Sequence, residues 1–180
     1  DIVDTDNPIS FKIFKSGGDG DVRVFGSQTK NWHEIEQDDT VNDLGNTSGT
    51  GSDSPPRSNV GTFYNSRMWV LADNKLYYSD ALPSDYSNTF DTQATGNFYN
   101  MPVGEERALI GIREQGLVAL GKDLIRYVTP SDTPAATDPN GILVYDGCEA
   151  GRTAKVVGHD ILYLARDGVR GVFKTQFDTL

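Results

Sequence analysis

The chain has 180 residues, with 26 acidic and 16 basic side chains and a formal net charge of −10. That balance repels phosphate backbones and anionic bilayers, and the basic residues are scattered, so specific nucleic-acid binding is not expected. No apolar run approaches the about 20 residues a membrane helix needs, and no secretory leader is recognisable. The first residue is Asp1, which points to a preceding stretch.

The single cysteine, Cys148, can form neither an internal disulfide nor a cysteine-rich zinc site. It sits between acidic neighbours in Asp146-Gly-Cys-Glu149, which disfavours a reactive thiolate. The two histidines, His33 and His159, are far apart. No cofactor and no metal ion are expected.

Helix signals are scarce, whereas short β-branched and aromatic runs recur between Gly, Asn, Asp and Pro clusters. Ile9–Phe14 and Val22–Phe25 flank the glycine-rich turn Gly17–Asp21 and predict a hairpin, with Trp32–Ile35 as a short third strand. Gln37–Asn59 is almost free of large apolar side chains and reads as a polar loop or linker. Thr62–Leu71 reads as one strand, Ala72–Asn74 as a turn and Lys75–Ser79 as the return strand.

A polar loop from Asp80 to Gly96 precedes a strand at Phe98–Val103. Three close strands follow at Ala108–Ile112, Leu117–Leu120 and Leu124–Val128. A Pro- and Asp-rich loop, Thr129–Gly141, leads to Ile142–Tyr145. The end repeats the design with Thr153–Val157, Ile161–Ala165 and Val169–Phe173.

The units beginning at Ala108 and Thr153 start 45 positions apart, and the Arg67–Ser79 hairpin begins 41 positions before the first. A period of ~40–50 residues with three or four short strands is that of propeller blades, which cover their faces by stacking on neighbours. The expected fold is all-β, with β-propeller-like blades of short antiparallel strands, a β-sandwich being the alternative. The expected divisions are 1–36, a hairpin or partial blade; 37–60, a polar loop or linker; and 61–180, a propeller-like β domain.

Catalytic signatures do not emerge. Glu105-Glu106 and Asp38-Asp39 are adjacent, so on strands they point to opposite faces. Asp160 and Asp167 suit turns, and Gly17–Val22 suits a hairpin better than a calcium loop. The aromatic residues concentrated between Tyr64 and Tyr99 read mainly as core, with stacking on sugars or a protein partner as the functional alternative.

The stretch Asn65–Asp80, with Arg67, Trp69, Tyr77, Tyr78 and Ser79, followed by Pro83 and Phe90, resembles a recurrent pattern in tailed-phage proteins. The downstream run is similar too: Leu117–Val128, then Gly147–Gly151, then Leu162–Arg170 with Asp167 and Gly168. Together they resemble the propeller-like proteins of the phage tail nozzle and hub, over Gly61–Phe173. The resemblance implies a non-enzymatic structural component of the virion tail, part of a ring-shaped DNA conduit. Its partners would be other tail proteins and copies of itself. Nozzle proteins are longer than this chain, which implies a fragment or a single domain. The alternative is a glycan- or protein-binding β module without catalysis.

Overall fold

The computed structural model describes residues 10–15, 21–26, 31–35, 39–44, 54–81, 90, 98–112, 115–135 and 137–173, with backbone alone for 10–15 and 21–25. The fold is all-β, four small antiparallel sheets following one another along the chain. The first holds β1 (Ser10–Lys15), β2 (Asp21–Gly26), β3 (His33–Ile35) and β4 (Val41–Asp43). The second holds β5 (Gly61–Tyr64), β6 (Arg67–Ala72), β7 (Lys75–Tyr78) and β8 (Phe98–Asn100). The third holds β9 (Glu106–Ile112), β10 (Gly116–Gly121), β11 (Ile125–Val128) and β12 (Asn140–Val144). The fourth holds β13 (Lys155–Val157), β14 (Asp160–Ala165) and β15 (Gly168–Gly171), after a 3-10 turn at Gly151–Thr153.

Each sheet is an up-and-down meander, with hydrogen-bonded neighbours in chain order. The second strands begin at 21, 67, 116 and 160, so the interval near 45 residues runs through all four units. No closed barrel or propeller forms among the described residues.

Three apolar layers lie between the four sheets, and strand composition follows from position in that stack. Trp32 and Leu44 meet Met68, Val70 and Phe90 between the first and second sheets. Trp69, Leu71 and Leu76 meet Leu109, Leu117, Ala119 and Val128 between the second and third. Val118, Leu120 and Ile125 meet Ile161, Tyr163 and Ala165 between the third and fourth. Inner strands are covered on both faces, so β6 and β10 are apolar almost throughout and buried almost throughout. In β14 alternate residues are buried, because one face of the fourth sheet has a neighbour in the described stack.

Three sequence expectations are corrected. Thr62–Leu71 is not one strand: it breaks at Asn65-Ser66 into β5 and β6, with Tyr64 paired to Arg67. Both turn residues have positive φ, 45° and 61°, the mirror-image geometry that matches strand twist in two-residue hairpins. Asp73-Asn74 turns β6 into β7 in the same way, with φ of 51° and 58°. The polar segment 37–60 contributes β4 to the first sheet, and its Ser54, Ser58 and Val60 are buried. Pro56 in that segment accepts a hydrogen bond from the buried Trp32 indole at 2.9 Å. The last unit opens with a 3-10 turn where a strand from Thr153 was expected. The Gly17–Gly20 part of the glycine-rich turn lies outside the described residues.

Candidate functional site

The hairpin β6–β7 carries most of the family-like motif, and its two faces do different things. Arg67, Trp69 and Tyr78 serve the face turned to the third sheet. The Arg67 guanidinium donates from Nη1 to the Ser79 carbonyl at 2.7 Å and from Nη2 to the Asp132 carbonyl at 3.3 Å. Its centre lies 5.8 Å from the Tyr78 ring centroid, within cation–π range. The Ser79 hydroxyl accepts from the Met68 amide at 2.9 Å and donates to the Asp80 carbonyl at 2.8 Å, closing the open end of the hairpin.

Trp69, Tyr78 and Tyr99 form a triangle of tilted rings with centroids 5.2 to 6.1 Å apart. Their polar tips reach outward. The Trp69 indole donates to the Tyr64 carbonyl at 2.8 Å, and Tyr78 donates to the Pro134 carbonyl at 3.1 Å. Tyr99 donates to Asp138 Oδ2 at 2.6 Å. That carboxylate also accepts from the Ser131 and Ala135 amides at 2.9 and 3.1 Å.

The loop between β11 and β12 is therefore fastened onto the second sheet by Arg67, Tyr78 and Tyr99. Burial raises the Tyr99 hydroxyl well above the usual tyrosine range, and the Asp138 carboxylate beside it adds to the rise. Partial burial works against charge on Asp138, but the bonds from Tyr99, Ser131 and Ala135 outweigh it and hold the carboxyl below its ordinary range. Tyr99 thus stays protonated and Asp138 ionised at neutral pH, a fixed donor–acceptor clasp.

Tyr77 lies on the opposite face, packed toward the first sheet with its ring 5.7 Å from that of Phe98. Asp167 and Gly168 are two sheets away, at the turn from β14 to β15. There Asp167 pairs with Arg170, whose other nitrogen lies 2.6 Å from Asp146. Four of the seven motif residues, Arg67, Trp69, Tyr78 and Ser79, thus converge, and the other three do not.

Sequence reasoning missed Tyr99 and Asp138 as partners. They lie 39 residues apart, in a short strand and a Pro-rich loop, with no local pattern joining them. The Gly147–Gly151 stretch is a second joint. A Cβ on Gly147 would stand 1.7 Å from the Lys122 carbonyl oxygen, and one on Gly151 1.8 Å from that of Arg107. Between them the Cys148 amide bonds the Gly121 carbonyl and the Glu149 amide bonds that of Leu164, each at 2.8 Å, tying the third sheet to the fourth. Cys148 is buried, and burial pushes its thiol up.

A mainly apolar cavity of about 530 Å³ opens at the other end of the third sheet's strands, lined by Leu117, Val118, Tyr127, Leu143, His159 and Phe173 among others. No carboxylate is among its described lining residues. Among the described residues no three His, Cys, Asp or Glu side chains gather as metal ligands. Among the described residues no helix is long and apolar enough to cross a membrane. The chain matches no family model and no curated protein.

Proposed function

We propose that this chain is a non-catalytic structural module of a phage tail, in the nozzle or hub, contributing to a ring-shaped DNA conduit in the virion. The observation that carries the reading is the joint between sheets. Of the residues that give the resemblance, Trp69 and Ser79 close the second sheet's own hairpins, and Arg67 and Tyr78 reach the Asp132 and Pro134 carbonyls of the third sheet's loop. This is the work of a scaffold. A net charge of −10 suits a channel wall that must let DNA slide without gripping it. Its partners would be other tail proteins and copies of itself.

The test is light scattering and electron microscopy of the chain, together with probing of tail particles with an antibody raised against it. Closed rings, or the chain within tails, are the expected result. A monomer absent from particles overturns the reading. The alternative, a binding β module, draws on the apolar cavity and on Tyr145, which is 82% exposed. Glycan-array binding by a monomeric chain would favour it.

A further inference from the structure

We infer that the outer face of the β13–β15 sheet is a self-association surface that receives the acidic first meander of a second copy, head to tail. The inference rests on the assembly reading above and assigns its contact. Strand pairing sets the two faces of this sheet. Ile161, Tyr163 and Ala165 point into the stack and are buried. The intervening residues carry the other face: Leu162 pairs with Lys155, Leu164 with Val169, and Asp160 with Val157. On that face Val157 is 54% exposed, Leu164 37% and Val169 72%.

Exposed large apolar side chains are otherwise few among the described residues. Six stand out, and four of them, Val156, Val157, Leu164 and Val169, belong to this one sheet. A fifth, Val41, lies on β4 at the opposite end of the stack, next to exposed Thr40 and close to exposed Asp39 and Asp43. Every internal junction of the stack buries one sheet's apolar face against the next. Among the described residues, the two ends are where that rule is left open.

Charge selects the occupant. Beside Val41 the exposed described side chains include the two acids Asp39 and Asp43. Exposed Lys155 lies on the outer face itself, with exposed Arg152 just before it. Two copies stacked last sheet to first sheet therefore bring opposite charges together around apolar centres, whereas last-to-last stacking opposes like charges. A contact between different surfaces propagates, and it closes into a ring when the rotation allows.

Sedimentation velocity of the full chain over a wide concentration range tests this, in low and high salt. The wild type should gain mass with concentration, and less so in high salt, as screening weakens the charge contact. Val169→Glu should weaken association at least tenfold, with an unchanged thermal melt because the side chain points outward. Mixed with wild type, V169E should cap assemblies through its intact acidic end and shorten them. Association of V169E equal to wild type overturns the surface while leaving the assembly reading standing. Exclusion of V169E from mixed assemblies would show a symmetric contact and also overturns it. So would a monomeric wild type at every concentration, or a V169E that melts far lower without any change in mass, which would place this face against the chain's own residues.

Discussion

Two tyrosines show how differently one hydroxyl is used in this chain. Tyr99 donates to the ionised Asp138, whereas the buried Tyr163 hydroxyl has no hydrogen-bond partner among the described residues. Tyr99→Phe should cost about 1–2 kcal/mol at neutral pH, the lower part of the range for bonds to charged groups because Asp138 is partly exposed. The carboxyl titrates lower in the folded chain than in the unfolded one, so its contribution is present above about pH 4 and is lost as pH falls through the folded value. The penalty of Y99F, read from urea melts, should therefore shrink in acid. Tyr163→Phe should be neutral or should stabilise by up to about 1 kcal/mol, since it removes a buried polar atom without a partner.

At the scale of elements, the hairpins and joints place opposite demands on their backbones. Ser66 holds a φ of 61° without being glycine, and its side chain makes no hydrogen bond to the described residues, so Ser66→Gly should stabilise by about 0.5–1 kcal/mol in denaturant melts. Asn74 has a similar φ of 58°, but its Oδ1 accepts the Val103 amide at 3.0 Å, and a glycine there would forfeit that bond. Gly147 presents the reverse case. Gly147→Ala sets a methyl against the Lys122 carbonyl and should cost about 3 kcal/mol or more, visible as a large drop in melting temperature. Its position between the third and fourth sheets predicts that the loosening appears first as faster amide exchange in β13–β15.

For the molecule as a whole, stability resides in three apolar layers shared by neighbouring sheets. Each sheet is too small to cover its own faces, so the units of this stack depend on their neighbours. The partly buried Tyr77 and the buried Tyr99 and Tyr163 are each raised above the ordinary tyrosine value, chiefly by desolvation. A raised folded value contributes stability that is whole below about pH 10 and is lost as pH climbs through the folded value. Alkaline titration followed by tyrosinate absorbance should show these groups ionising with the loss of β-sheet circular dichroism.

What the sequence by itself determined is the class and rhythm of the fold. The spacing of short apolar runs marked most strands, and the interval near 45 residues marked the meanders, because β alternation and turn chemistry are local. The convergence of Arg67, Trp69, Tyr78 and Ser79 was legible too, since a hairpin brings residues 67 and 79 together by its own register. Inner and outer sheets were not legible: β14 reads Ile-Leu-Tyr-Leu-Ala, as apolar as β6 and β10, and only the stack leaves its alternate residues less covered. The tertiary structure alone decided the rest. It placed β4 in a segment whose composition argued for a loop, since pairing with β3 supplies what three polar-flanked residues cannot. It joined Tyr99 to Asp138 and Gly147 to Lys122, contacts between distant segments that exist once two sheets are stacked and leave no trace in local pattern.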